Sequence, residues 1–427
     1  MPLGSGEFEE AWPRIVRALA SFTGSLDDAE EYAAEAVARA AAHERAGGGP
    51  IESYAAWCTS VAKRAWLDDA RRRTVERRLA PQLARPEVDA PTDPSGHAVM
   101  EPDLTHQGLD DRLALLFVAC DEALSPTSRM VLALRVVCGL TIPEIAGHLG
   151  VQDTAAAARL TRAKRALAEA RGAFHVPPPA EQERRLPVVL ACVAAMFTVA
   201  HRTALDPADA LSDTGRQALS IADALVATFP RDTEVRGLRA VIRLGLARRP
   251  GRLDPTGTAL ALDEVDRTRW DRALLAAGLD DATMAAAGDG RFAIEAAIAG
   301  LHSIAPSFER TDWPRIALLY GALEERWPSP SVRVARLVAT AHAVLAGADV
   351  GADLGATTSL TEVERELTSL ETRGPAYASR DAALALADLE WRTGRREHAA
   401  QRYRDLAEVL DVEPLRRFCL RRALTPP

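Results

Sequence analysis

The chain has 427 residues, more than a single hydrophobic core usually serves, and this length predicts two to four domains. Its formal net charge of -8 at pH 7 means that any surface for a polyanion must be local. Five scattered cysteines form no C-x-x-C pair, which favours buried thiols in a reducing compartment over disulfides or zinc. The N-terminus lacks a secretory pattern, and the apolar runs are too short to span a bilayer. We therefore expect a soluble, cytoplasmic protein.

Helical periodicity extends over most of the chain and predicts an all-α fold. Two stretches interrupt it. Residues 84–108 are rich in Pro, Asp and Thr and predict a flexible linker, and the prolines at 177–179 predict a domain seam. The predicted domains are therefore 1–83, 109–174 and 175–427.

The N-terminal block contains an acidic helix followed by a basic one. The segment SLDDAEEYAAEAVARAAAHE predicts a helix capped at Ser25, with carboxylates clustered in its first three turns. The next helix, ESYAAWCTSVAKRAWLDDARRRTVERR, interleaves Trp57 and Trp66 with lysine and arginine. Bases stack on aromatic rings while cations hold phosphates, so this helix suits single-stranded DNA, although Trp57 fits a core position better.

Three helical patterns follow in quick succession between residues 124 and 171. Ser125 and the proline after it predict the start of the first helix, and Gly139 predicts its end. Thr141 and Glu144 have the spacing of a capping box before a short second helix. Gly150 then permits the sharp turn of a helix-turn-helix.

The third helix, expected to be capped by Asp153 or Thr154, opens with the four alanines 155–158. Residues 125–171 carry seven cations against three anions, in a chain whose net charge is negative. Such a local excess of positive charge is the electrostatic pattern of a nucleic-acid-binding module. An ordinary three-helix packing unit with a solvated basic face is the alternative.

The C-terminal half has a weak repeat of helix pairs. Leu386, Gly394, Ala399 and Tyr403 have the spacing at which a tetratricopeptide helix pair places its turn glycine and its close-packing small and aromatic residues. One pair cannot bury its own face, so its presence predicts a stack. Further upstream, Asp and Arg alternate over residues 263–272, which fits an ion-paired helix face as well as a site.

The order of motifs from 124 to 167 resembles region 4 of bacterial sigma factors: LSP, an apolar helix, GLTIPEIAGHLGV and then RLTRAKRAL. Upstream, DDRLALLFVACDEALSP is similar to this region in the extracytoplasmic-function sigma factors that carry a long helical extension. LDEVDRTRWDRALLAAGL and the helical patterns after it look like that tetratricopeptide-like extension. The resemblance covers most of the chain.

The resemblance implies an alternative sigma factor that directs core RNA polymerase to promoters. Region 2, residues 1–83, would bind the clamp helices and melt the -10 element, while region 4, residues 109–174, would contact the flap and read the -35 element. The implied -35 contacts are Gln152, Thr154, Arg159, Arg162, Lys164 and Arg165. The implied -10 contacts are Lys63, Arg64, Trp66, Arg71 and Arg72. The implied polymerase contacts are Asp28, Glu30, Glu31 and Glu35.

Two departures from the family pattern bear on this function. Ala34 stands where the acidic motif usually has Gln, and alanines replace the hydroxyl-bearing start of the reading helix. We therefore expect region 4 to bind largely through phosphates, with weak -35 specificity and a steep salt dependence. The alternative is a divergent relative that does not initiate transcription and acts as a protein-interaction scaffold.

No motif predicts catalysis, a metal or a cofactor. The nine histidines are dispersed, and neither G-x-S-x-G nor G-x-x-x-x-G-K-[ST] occurs. His148 fits a surface or packing position better than a ligand position. We expect a non-enzymatic protein whose partners are core polymerase, promoter DNA and an unidentified protein or ligand at the C-terminal domain, without a membrane partner.

Overall fold

A computed structural model describes residues 5–83, 109–149, 151–203, 213–347 and 359–424. These ranges form eighteen α-helices and no β-strand, and an isolated antiparallel bridge pairs Leu253 with Ala259. The predicted all-α fold is confirmed. The predicted linker 84–108 and the predicted turn residue Gly150 lie outside the described residues. Among the helices that are described, none is both long enough and apolar enough to cross a membrane.

The chain divides into two compact units. The first contains the helices up to Val199, near the end of the eighth helix, and the start of the ninth helix up to Gln217. The second contains the ninth helix from Ala218 onward and all helices after it. The prolines 177–179, predicted as a domain seam, lie inside the first unit. Its helices are α1 Ser5–Thr23, α2 Leu26–Arg45, α3 Tyr54–Leu83, α4 Asp111–Ala119, α5 Pro126–Val136, α6 Ile142–Leu149, α7 Asp153–Arg171 and α8 Pro179–Thr203.

Several helix starts in the first unit follow from local capping chemistry. Ser25 Oγ accepts a hydrogen bond of 3.2 Å from the amide of Asp28 at the start of α2. At α6, the amide of Thr141 donates to Glu144 Oε2 at 2.7 Å, and the amide of Glu144 donates back to Thr141 Oγ1 at 3.5 Å. The predicted cap at Ser25 and the predicted capping box are therefore confirmed.

The predicted cap of α7 is wrong. Gln152 occupies the N-cap position, with an extended backbone and no side-chain capping hydrogen bond, and the helix already begins at Asp153. Asp153 therefore lies in the first turn, where its carboxylate favours the positive end of the helix dipole without acting as a cap.

The core of the first unit is built around α4, which is apolar on every side. Leu113, Leu115, Leu116 and Phe117 are fully inaccessible to solvent. A helix that is apolar all round must lie inside the fold, and α4 packs against α1 and α5 accordingly. All five cysteines are buried and none forms a disulfide, as the sequence predicts.

A buried charged network ties α4, α7 and α8 together. Asp121, which directly follows α4, is almost fully buried and accepts hydrogen bonds from Arg171 Nε at 2.8 Å and Arg185 Nη2 at 2.7 Å. Arg185 also donates to the carbonyl of Phe117 at 2.8 Å and pairs with Glu181. Burial would raise the pKa of Asp121, but the hydrogen bonds and positive charges outweigh it and hold that pKa below its usual value.

The second unit is a succession of helices, and from the second of them onward each packs against the next. They are α9 Thr214–Thr228, α10 Thr233–Ala247, α11 Arg272–Ala285, α12 Arg291–Ile304, α13 Trp313–Arg326, α14 Pro330–Leu345, α15 Leu360–Arg373, α16 Ala376–Arg392, α17 Arg396–Val409 and α18 Glu413–Leu424. Their cores follow one another along the chain: one lies between α12, α13 and α14, the next between α14, α15 and α16, and the last between α16, α17 and α18.

The tetratricopeptide-like repeat stays a prediction, and the residues singled out for it lie on α16 and α17 and in the turn between them. Gly394 adopts a φ of +82° in the turn between α16 and α17, a conformation that favours glycine. Ala399 and Tyr403 are buried in the core between α16, α17 and α18, whereas Leu386 is buried in the core between α14, α15 and α16.

The alternating charges at 263–272 do not form a helix face, and that expectation is wrong. Asp266 caps a single 3-10 turn, Arg267–Arg269, and Asp271 caps α11 by accepting from the amides of Ala273 and Leu274. Asp263 instead reaches Arg392 at 3.2 Å. Short polar side chains favour such caps over helix interiors because they bond the free amides of a helix start.

Candidate nucleic-acid and polymerase interfaces

Helices α5, α6 and α7 form the predicted helix-turn-helix. The apolar faces of α5 and α6 turn toward α7, so that Val131 and Ile145 are fully buried, and Leu160 and Leu167 of α7 are buried with them. Both α5 and α6 pack on α7, which fixes its orientation and leaves the opposite side of α7 open to solvent.

The predicted -35 residues divide between two sides of α7. Successive residues of a helix turn by about 100°, so Thr154, Arg162 and Arg165 fall within one arc of about 80°. All three are exposed, and so is Gln152 at the N-cap. Arg159 is half-buried and lies outside this arc, about 60° beyond Arg162. The exposed arc is the surface of the helix-turn-helix that can reach a DNA groove.

Lys164 lies on the other flank of α7, turned toward α2. Its Nζ forms ion pairs with Asp27 Oδ1 at 2.8 Å and with Glu30 Oε2 at 2.6 Å. Only 12% of its side chain is exposed, compared with 79% for Arg165. Lys164 therefore does not lie together with the other predicted -35 residues.

Glu30, predicted to contact polymerase, is buried within the same cluster. It is 6% exposed and also pairs with the guanidinium of Arg135, which donates to the carbonyl of Leu140 at 2.9 Å. The Arg135 guanidinium lies 6.0 Å from the centre of the Trp12 ring. The sequence shows each of these charges but not their pairing, because Glu30 and Lys164 lie far apart along the chain.

The other predicted polymerase contacts are differently placed. Glu31 and Glu35 are exposed on α2, where Glu35 forms a surface pair of 2.6 Å with Arg39. Asp28 is half-buried and accepts a hydrogen bond of 2.9 Å from the indole nitrogen of Trp66 on α3. An acidic partner surface on α2 thus remains at Glu31 and Glu35, whereas Asp28 and Glu30 have partners inside the chain.

The predicted -10 residues all lie on α3. Trp66 packs edge-on against Phe22 with ring centres 5.3 Å apart, and the Lys63 ammonium lies 5.0 Å from the centre of the Phe22 ring. Arg64 is exposed. Arg71 and Arg72 are exposed too and pair with acidic residues one turn earlier on α3, Arg71 with Asp68 and Arg72 with Asp69. Trp57, expected in the core, is half-buried beside His43.

Further contacts join α1 and α2 to the helix-turn-helix side of the unit. Arg17 on α1 donates to Asp111 Oδ1 at 2.8 Å, at the start of α4. After α7, the amide of Phe174 donates to the carbonyl of Gly24 at 2.8 Å, in the turn before α2. Together with the Lys164 cluster, these contacts hold the two sequence modules against one another.

Comparison with known proteins finds matches to the helix-turn-helix and over most of the chain. Residues 115–167 match the family described as "Sigma-70, region 4", and residues 185–286 match the "Family of unknown function (DUF6596)". An uncharacterized protein of Rhizobium meliloti (strain 1021) is 34% identical over 331 residues, which make up 77% of each chain. The chain belongs to the family of this rhizobial protein. No solved structure matches it.

In this family member, the region 4 match runs from α4 to Leu167 in α7 and therefore includes the complete helix-turn-helix. The match supports a place in the sigma-70 family, and a region 4 module implies interaction with core RNA polymerase and promoter DNA. The second match runs from α8 to the end of α11.

Proposed function

We propose that the chain is an alternative sigma factor of the extracytoplasmic-function group, which directs core RNA polymerase to specific promoters in a bacterial cytoplasm. The observation that carries this proposal is the helix-turn-helix α5–α7, which matches sigma-70 region 4 and presents the exposed arc of Thr154, Arg162 and Arg165. The protein acts by binding and carries out no chemical step. The second unit, a tetratricopeptide-like stack, controls or supports this activity.

Region 4 binds the -35 element mainly through its phosphates. Arg162 and Arg165 supply the positive charge on the exposed arc, with Gln152 and Thr154 at its start. Ala158 lies within the arc and offers DNA only a methyl group, which can contact a thymine methyl but donates no hydrogen bond. Binding of this kind depends strongly on salt and weakly on sequence.

Region 2 contacts polymerase through the exposed carboxylates of α2 and single-stranded DNA through α3. Glu31 and Glu35 are accessible to a basic partner, and Arg64, Arg71 and Arg72 are accessible to a phosphate backbone. Trp66 stacks a base only if its indole leaves Asp28 and Phe22.

The free chain is closed, and it opens when it binds a promoter. Elements at -10 and -35 are about 25 base pairs apart, which corresponds to about 85 Å of duplex at ~3.4 Å per pair. In the closed form, Lys164 of the region 4 module contacts Asp27 and Glu30 of the region 2 module directly. The two modules cannot keep this contact while each occupies its own element. Opening also exposes Glu30 to polymerase.

A transcription assay with purified core polymerase and mapped promoters tests the proposed function. We expect promoter-dependent transcripts from the parent chain and at least tenfold fewer from an Arg162→Ala/Arg165→Ala variant. The matched control Arg310→Ala/Arg315→Ala removes two exposed arginines from the second unit and should transcribe like the parent. Absence of both transcription and binding to core polymerase in the parent would overturn the proposal.

Binding to core polymerase tests the role of α2 separately. Glu31→Lys should weaken the affinity at least tenfold, because it reverses an exposed charge facing a basic partner. Glu325→Lys makes the same change at an exposed site in the second unit and should leave the affinity unchanged. Equal affinities for the two variants would contradict this assignment.

The second candidate function is a scaffold that does not initiate transcription. The internal pairing of Glu30 and the alanines at the start of α7 favour it, because both reduce the groups available to polymerase and DNA. Under this alternative, the full chain binds protein partners from a cell extract but neither core polymerase nor DNA at low salt.

A further inference from the structure

The second unit contains a cavity of about 330 Å³ that none of the sequence motifs predicted. The segment 259–262 lines one side of it, and helices of the stack line the others. Most of its surface is apolar, with Leu260, Leu262, Val338, Leu384, Leu415 and Phe418 among the lining residues. Small-molecule sites in proteins are commonly apolar cavities of about 300–1,000 Å³ with a few polar groups in their walls.

Two polar side chains in this cavity wall are buried without a hydrogen-bonding partner. Tyr403 is 1% exposed and His342 is 8% exposed, and both line the cavity. Within the described chain, neither the Tyr403 hydroxyl nor the His342 ring makes a hydrogen bond. Asp388 Oδ2 lies 4.0 Å from His342 Nε2, which is too far for one. Buried polar groups are normally satisfied, so these two are available to a ligand.

The arginine that lines the cavity is already paired with carboxylates. Arg392 forms ion pairs with Asp388 at 2.7 Å and Asp263 at 3.2 Å, and its guanidinium lies 4.6 Å from the centre of the Phe308 ring. Burial lowers the pKa of His342 to about 4, although the negative charge of Asp388 acts to raise it. The imidazole is therefore neutral near pH 7. A ligand anion would therefore meet no uncommitted cation among these groups.

The segment 259–262, which lines the cavity, is held in place by the last helix of the stack. The amide of Ala259 donates to the carbonyl of Pro414 at 3.0 Å, and Glu264 pairs with Arg421 and Arg422 of α18. The amide of Ala261 donates to the same Glu264 carboxylate at 2.9 Å. The wall is therefore an ordered part of the unit, and the cavity is a built feature of the fold.

We infer that this cavity binds an uncharged, mostly apolar organic molecule with a single hydrogen-bonding head, such as a hydroxyl or carbonyl group. The head meets Tyr403 and His342, and the apolar body fills the space between segment 259–262 and α14, α16 and α18. This inference stands independently of the proposed role in transcription.

Calorimetric titration of the full chain with three probes tests the inference: naphthalene, 2-naphthol and 2-naphthoate. They share an apolar body and differ in the head. We expect 2-naphthol to bind with one-to-one stoichiometry, at least tenfold more tightly than 2-naphthoate. Tyr403→Phe should weaken 2-naphthol binding several-fold while leaving naphthalene binding unchanged, because it removes only the hydroxyl. Failure of both 2-naphthol and naphthalene to bind would overturn the inference.

A cavity-filling substitution establishes where the probes bind. Ala385→Phe places a ring inside the cavity and should abolish binding of 2-naphthol and naphthalene. Ala276→Phe adds the same bulk at an exposed position of α11 and should not change binding. If Ala385→Phe unfolds the unit, as circular dichroism would show, the smaller Ala385→Leu should still weaken both probes. Undiminished binding to a folded Ala385 variant would place the probes elsewhere and overturn the inference.

Discussion

Lys164 Nζ lies 2.6 Å from Glu30 Oε2, and this ion pair joins α7, the last helix of the helix-turn-helix, to the acidic helix α2 near the N-terminus. Both side chains are largely buried, and Arg135 and Asp27 complete the cluster. Removing one partner from a buried ion cluster leaves an uncompensated charge, which costs far more than breaking a surface pair. The cluster is therefore well placed to decide whether the two modules stay together.

Reversing the charge of Lys164 should open the first unit. Lys164→Glu places a third carboxylate beside Asp27 and Glu30, so repulsion replaces attraction. We expect the distance between spin labels at Ala34→Cys and Ala158→Cys, two exposed positions, to lengthen and broaden in a pulsed electron resonance measurement. Arg165→Glu, on the exposed arc of α7, should leave that distance unchanged. An identical distance distribution in Lys164→Glu and the parent would show that the cluster does not hold the closed form.

Binding of double-stranded DNA should distinguish the two sides of α7. In the proposed binding mode Arg162→Ala removes a phosphate contact, so affinity should fall equally for two unrelated duplexes, and the slope of log K against log[salt] should shrink by about 0.9. Lys164→Ala should leave that slope unchanged, because its side chain faces α2. Fluorescence anisotropy of the full chain with DNA, at 50 to 200 mM salt, measures both the affinity and its salt slope. Over this range of salt, DNA affinity can change ~10³-fold. A larger effect of Lys164→Ala than of Arg162→Ala would refute this division.

Features of the first unit that depend on neighbouring residues were predictable from the sequence. Contacts between residues far apart in the sequence were not. The Ser25 cap and the box of Thr141 and Glu144 depend on residues three apart, so their spacing alone reveals them. Glu30 and Lys164 meet only because the fold brings α2 near α7, and no pattern of neighbouring residues indicates that approach. Similarly, the alternating charges fit a helix face that includes Asp271, but α11 begins only at Arg272, and Asp271 is its N-cap.

The buried network at Asp121 should be essential for the stability of the first unit. Asp121→Asn removes the negative charge that faces Arg171 and the buried Arg185, so unfolding free energy should fall by about 3–5 kcal/mol. Asp68→Asn, which breaks an exposed pair with Arg71, should change it by less than about 1 kcal/mol. Urea denaturation followed by circular dichroism compares the two. Similar losses from both substitutions would contradict a central role for Asp121.

Two helical glycines of the second unit should respond oppositely to alanine. A Cβ at Gly237 on α10 would lie 2.5 Å from the backbone carbonyl carbon of Phe292 on α12, so Gly237→Ala should destabilise by about 1–3 kcal/mol. A Cβ at Gly321 on α13 has open space around it, so Gly321→Ala should stabilise by up to about 1 kcal/mol through helix propensity. Thermal denaturation of both variants measures the difference. A stabilising Gly237→Ala would show that α10 and α12 do not approach as closely as the structure indicates.

The second unit should lose stability as pH falls from about 6.5 toward 4, because of His342. Burial lowers the pKa of His342 in the folded chain to about 4, so the unfolded chain binds more protons throughout this window. The charged groups that face it are Asp388 and Arg392 on α16 and Asp263 on the segment before α11. The free energy of unfolding is therefore highest above pH 6.5, where the imidazole is neutral in both states. It falls on acidification, by up to about 3 kcal/mol.

Melting temperatures measured across this window check the prediction. His342→Gln should flatten the decline of melting temperature between pH 6.5 and 4, whatever its effect at neutral pH, because the substituted side chain does not titrate. His398→Gln, at an exposed position of α17, should keep the slope of the parent. His302, whose pKa burial lowers to about 3, contributes a further decline that both variants retain. An unaltered slope in His342→Gln would mean that the imidazole is not held neutral by burial.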